Sequence, residues 1–126
     1  MIQLRALLLL TALVVTACSG GSARPATTSR RDQDATTVEV ELSDAGCQPR
    51  EISVPAGATT FKVSSDGTAA VTEFEVLKGS RILGEVENVF PGGDRSFTVD
   101  LDPGTYTTKC PGGADFETGT LTVTAS

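Results

Sequence analysis

From Thr37 onward the chain alternates apolar and polar residues with a period of two. In "TVEVELS", Val38, Val40 and Leu42 alternate with Glu39, Glu41 and Ser43. That pattern predicts a half-buried strand. "EISVPAG" predicts a short strand ended by Pro55 and Gly57. "TTFKVSS" sets Phe61 and Val63 on one face. "AAVTEFEVL" turns Phe74 and Val76 inward and leaves Glu73 and Glu75 on the opposite face. "RILGEVENV" is apolar but interrupted by Gly84, which predicts an irregular or bulged strand. "DRSFTVDL" alternates Phe97, Val99 and Leu101, and "DPG" makes a turn. "TYTTKC" and "TLTVTA" close the series, with Leu121 and Val123 inward. No amphipathic run of helical length interrupts them. The expectation is an all-β sandwich of seven or eight strands with Greek-key connections, filling 37–126. A segment of that length can bury one small core.

The N-terminus reads differently. "MIQLR" carries one Arg, and "ALLLLTALVV", Ala6 to Val15, is a short apolar run. It is too short to cross a hydrocarbon core about 30 Å thick as a helix. "VTAC", Val15 to Cys18, follows in the form of a bacterial lipobox: aliphatic, small, small, Cys. Residues 1–17 are therefore expected to be a lipoprotein signal peptide, with Cys18 the acylated residue. Each buried acyl CH₂ adds about 0.8 kcal/mol, so several chains on Cys18 anchor stably. The expected location is extracytoplasmic, on the outer face of the cell membrane. Residues 18–36 hold the lipidated Cys and a tether with no Val, Ile, Leu or aromatic residue, which cannot bury a core. Arg24, Arg30 and Arg31 in it suit a solvated linker or an anionic membrane surface.

The formal charge of −6 argues against nucleic acid, which needs a basic footprint. The chain has no histidine, so it holds no Ser-His-Asp or Cys-His nucleophile, and no enzyme activity is expected. The same absence rules out type-1 copper, which takes two His and a Cys. What the chain offers a metal is thiolate from Cys47 and Cys110 and carboxylate from Glu73, Glu75, Glu85, Glu87, Asp115 and Glu117. Thiolates suit Cu(I) or Zn(II), and carboxylates suit harder ions such as Fe(III). Glu73 sits beside apolar Phe74, where a partly buried carboxylate needs a partner: Lys109, Arg81 or a metal.

Four segments fall in order from Val38 to Val123: "CQPREISVPAG", "TEFEVL", "GEVENVFPGG" and "LDPGTYTTKC". Together they resemble a cupredoxin, and specifically the N-terminal cupredoxin-like domain of EfeO, from bacterial ferrous-iron uptake systems. "ISVPAG" and "PGTYTTKC" are shared with cupredoxins generally; "EFEV", "EVEN" and the early Cys47 mark this branch. The resemblance implies a cupredoxin-like Greek-key sandwich with Cys110 in the place of the copper Cys and Glu73 in that of the first copper His. It implies that Cys47, Glu73 and Cys110 converge at one end, where iron or copper has been proposed to bind. Relatives often carry Met two residues before the second Cys; here that residue is Thr108. EfeO usually continues into a helical domain, whereas this chain ends at Ser126, so a stand-alone lipoprotein is expected.

Two readings stand side by side. In one, Cys47, Glu73, Cys110 and Glu75 hold an iron or copper ion for iron-uptake transporter components at the membrane. In the other, Cys47 and Cys110 form a disulfide that staples a metal-free module for docking another envelope protein. Disulfides persist in that compartment.

Overall fold

The computed structural model describes residues 34–126. The expected signal peptide (1–17), the lipobox Val15–Cys18 and the tether as far as residue 33 lie outside the described residues. Nine strands follow: β1 (Thr36–Ser43), β2 (Gly46–Gln48), β3 (Glu51–Pro55), β4 (Gly57–Ser65), β5 (Phe74–Lys78), β6 (Arg81–Val86), β7 (Asp94–Leu101), β8 (Gly104–Lys109) and β9 (Thr118–Thr124). One sheet has the order β2-β1-β4-β7 and the other β3-β9-β8-β5-β6. The β1–β4 and β3–β9 pairs are parallel and the remaining pairs antiparallel.

The strand beyond the expected count is β2. Its register places Cys47 opposite Leu42, on a short return strand after β1. Gly46 makes that return at φ 140°, and a Cβ there would run into the carbonyl oxygen and ring of Phe116. The irregularity expected at Gly84 is present. Val76 pairs with Gly84 but Leu77 pairs with Ile82, leaving Leu83 as the extra residue of a bulge. Gly84 has no side chain because the Phe97 ring would lie 2.6 Å from its Cβ.

Alternation sends Val40, Leu42, Val63, Val76, Leu121 and Val123 into one core with Phe61 and Phe74. Phe61 packs at 5.5 Å from Phe74 and 5.2 Å from Phe97, joining β4, β5 and β7 across the two sheets. Tyr106 closes the β7–β8 corner by donating its hydroxyl to the Asp102 carbonyl, 2.7 Å away. Burial of a large aromatic dominates a core of this size. Phe61→Ala is therefore expected to cost about 3–5 kcal/mol in urea unfolding. A loss below about 1 kcal/mol would contradict the central place given to this ring.

Candidate functional site

Three connections meet at one end of the sandwich: the β1–β2 turn, the loop after β4, and the loop between β8 and β9. Ala114 N–H donates to the Asp44 carbonyl (2.8 Å), and Phe116 N–H donates to Ala45 (3.0 Å). The Thr68 hydroxyl donates to the Asp44 carboxylate. Cys110 opens the β8–β9 loop and is bonded to Cys47, with Cα atoms 6.0 Å apart. Both are buried. Arg50, Thr108 and Phe116 line the small space beside the sulfurs, and the Arg50 guanidinium lies 4.6 Å from the centre of the Phe116 ring. The bond closes a loop of 63 residues in sequence, worth roughly 4 kcal/mol in the chain-entropy account.

Strand alternation separates this staple from the carboxylates. Phe74 and Val76 are in the core, so Glu73 and Glu75 face outward. Likewise Cys110 is in the core and its neighbour Lys109 faces outward. Glu75 pairs with Glu85 on β6 and with Lys109 on β8. Ligand atoms of Glu73, Glu85 and Glu87 lie within 4.8 Å of one another. The expected grouping of Cys47, Glu73 and Cys110 therefore gives way to a carboxylate group on the outer face, with neither cysteine in it. Of the candidate set Cys47, Glu73, Cys110 and Glu75, the structure joins the two cysteines to each other and places the two glutamates on this outer face. Asp115 and Glu117 are exposed on the loop, where Glu117 accepts a hydrogen bond from Gly112 N–H at 3.0 Å.

Glu75 is the unusual member, at 7% exposed. Among the described residues the one close ion pair is Lys62–Glu39 on the other sheet. Glu73 titrates above its ordinary value of 4.5. Burial is the main cause, followed by the hydrogen bond to Glu75 and the negative charges of Glu75 and Glu87; Lys109 opposes them. Arg81, considered beside Lys109 as a partner for Glu73, pairs with Lys78 at the far end of the β5–β6 hairpin. The signal for Glu85 and Glu87 was present in the sequence. Two Glu-x-Glu segments flank one hairpin, and antiparallel pairing brings them to the same face.

The donor set is oxygen-rich and anionic, which fits a hard cation. It does not fit type-1 copper, for which the chain lacks histidine. A carboxyl whose folded-state pKa is raised contributes stability below its unfolded pKa, and that stability is lost as pH rises through the folded value. Glu73→Gln is therefore expected to raise Tm at neutral pH, with the gain shrinking as pH falls toward the ordinary carboxyl range. A gain that grows on acidification would contradict the cited burial and repulsion.

The cupredoxin-like domain family matches residues 7–123. The iron uptake system component EfeO of Yersinia pestis is 36% identical over 98 residues, covering 78% of this chain and 26% of EfeO. EfeO of Escherichia coli K12 is 38% identical over 77 residues, covering 61% of this chain and 20% of EfeO. The chain thus spans about a quarter or less of the length of these relatives. Among solved structures, auracyanin A of Chloroflexus aurantiacus, a "blue" copper protein, superposes with TM-score 0.63 at 18% identity, covering 71% of this chain and 98% of auracyanin A. Reduced auracyanin of Roseiflexus castenholzii gives TM-score 0.60 at 22% identity, over 71% and 97%. Those likenesses show the fold. The two-sheet sandwich, the family match and the EfeO similarity together make this chain a member of the cupredoxin-like family, with a domain of the EfeO type.

Proposed function

We propose that the protein is a lipid-anchored, extracytoplasmic accessory of iron uptake that holds a hard metal ion, with iron as its cargo, and is not an enzyme. The observation that carries this reading is the convergence of Glu73, Glu85 and Glu87 within 4.8 Å beside buried Glu75. Carboxylate oxygens favour Fe(III) over softer ions. The EfeO relatives, named as iron uptake components, support iron as the cargo and transporter components at the membrane as the partners. Because both sulfurs are tied together, Cys47 and Cys110 act in this reading as the staple beneath the site, and Glu73 and Glu75 as its ligands with Glu85 and Glu87.

Equilibrium dialysis against ferric citrate tests the metal. Retention by the wild type is expected, with at least a tenfold loss in the combined Glu73→Gln, Glu85→Gln, Glu87→Gln variant and little change in Cys47→Ser, Cys110→Ser, provided the latter folds by circular dichroism. Loss of retention in a folded cysteine variant would return the ligand role to the thiols. No retention by the wild type would favour the disulfide-stapled interaction module.

The anchor is tested separately. Membrane-extracted protein is expected to have an N-terminal peptide starting at Cys18 with acyl mass added, and Cys18→Ser is expected to release the protein from membranes. An unmodified Cys18 would leave residues 1–17 as an ordinary leader.

A further inference from the structure

Two side chains cover the disulfide from outside. The space beside its sulfurs, lined by Cys47, Arg50, Thr108, Cys110 and Phe116, admits no water molecule. Thr108 is buried on β8 and belongs to the wall of the sandwich. Arg50 and Phe116 do not: the guanidinium side chain is exposed and the ring half-buried. Arg50 comes from the turn between β2 and β3, and Phe116 from the loop between β8 and β9. They meet all the same, with the guanidinium 4.6 Å from the ring centre. The ring also abuts Gly46, the residue before Cys47, where a Cβ would lie 2.5 Å from it. The loop under the ring is held lightly. Asp115 and Phe116 N–H both donate to the Ala45 carbonyl, at 3.1 and 3.0 Å, and Ala114 N–H donates to that of Asp44. None of residues 111–117 belongs to the apolar core. Segments with few buried apolar contacts open locally, below the free energy of global unfolding.

We propose that Arg50 and Phe116 form a lid over the Cys47–Cys110 bond, and that a dithiol reductant reaches the bond when the 111–117 loop lifts, without global unfolding. Exchange requires a thiolate to touch a disulfide sulfur, so access sets the rate. One thiolate of the reductant attacks one cysteine sulfur and the Cys47–Cys110 bond breaks. A mixed disulfide forms, and the other cysteine leaves as a thiolate and takes up a proton. The reductant's second thiolate then attacks the mixed disulfide, closes the reductant's own disulfide and releases the first cysteine, which is protonated in turn. Two electrons pass from the dithiol to the cystine, and the two protons it loses balance those gained by Cys47 and Cys110. The lid makes the staple a guarded switch. Closed, the bond ties the β8–β9 loop to the β1–β2 turn; reduced, only the hydrogen bonds remain. None of this depends on what the carboxylates hold.

The test is the rate at which dithiothreitol reduces the purified protein in native buffer, followed by alkylation and peptide mapping of Cys47 and Cys110. Phe116→Ala removes the cover and is expected to speed reduction about tenfold or more. Arg50→Met removes the cation–π contact and is expected to speed it about two- to fivefold. Arg50→Lys restores a cation and is expected to stay within about twofold of wild type. Leu101→Ala is the control for lost stability. Leu101 is a core residue paired with Gly57, at the end of β4 remote from the cysteines, so its loss is expected to leave the rate unchanged. Circular dichroism checks that each variant folds; if Phe116→Ala does not, Arg50→Met decides. Reduction no faster in the folded lid variants than in wild type would overturn the inference. Reduction that quickens in Leu101→Ala as much as in the lid variants would also overturn it, because exchange would then follow global unfolding. Free Cys47 and Cys110 thiols in the protein before any reductant is added would overturn it as well.

Discussion

Four glutamates gather negative charge on one outer face of the sandwich, and the repulsion among them is the constraint on which this end of the structure turns. Strand β5 creates it. Its alternation commits Phe74 and Val76 to the core, and the same alternation puts Glu73 and Glu75 side by side on the outer face. The β5–β6 pairing then sets Glu75 against Glu85 and brings Glu87 near Glu73. Like charges opposite each other across a sheet destabilise it. A proton shared near Glu73 and the nearby Lys109 charge are two ways to relieve that repulsion.

The strain is tolerable because the scaffold beneath it is firmly tied. Phe61, Phe74 and Phe97 bridge the two sheets directly under β5. The Cys47–Cys110 bond and the backbone hydrogen bonds from the β8–β9 loop to the β1–β2 turn fix the same end of the sandwich. Gly46 belongs to this arrangement, since Phe116 occupies the space a side chain would need. The disulfide and the carboxylates thus divide the work: one holds the end of the sandwich closed from inside, while the other presents charge outside.

Period-two alternation made most of the fold legible in the sequence. Val38-Val40-Leu42, Phe61-Val63 and Leu121-Val123 all face the core as their spacing required. The bulge near Gly84 was legible too, because glycine in an apolar strand marks a close approach. Strand β2 was not, since three residues around Cys47 carry no periodicity and owe their pairing to the turn at Gly46. The site was half legible. Glu73 and Glu75 were visible as outward neighbours, but their partners depended on the β5–β6 register, which the bulge at Leu83 shifts by one residue. Register is set by turn and packing together, so no single segment announces it.

Glu73 groups with Glu85 and Glu87, and not with the disulfide-bonded Cys47 and Cys110, for a related reason. A resemblance aligns positions along the chain, whereas a strand assigns each position to a face. Cys110 is adjacent to Lys109 in sequence, yet one is sealed in the core and the other stands with the glutamates. A loop that in a copper protein would bring Cys and His to one ion here delivers its Cys to a covalent staple instead. With the thiol so engaged and no histidine in the chain, the metal-ligating capacity left around β5 is carboxylate, one layer away on the outer face. The donor chemistry shifts accordingly, from soft thiolate and imidazole toward hard, anionic carboxylate oxygen.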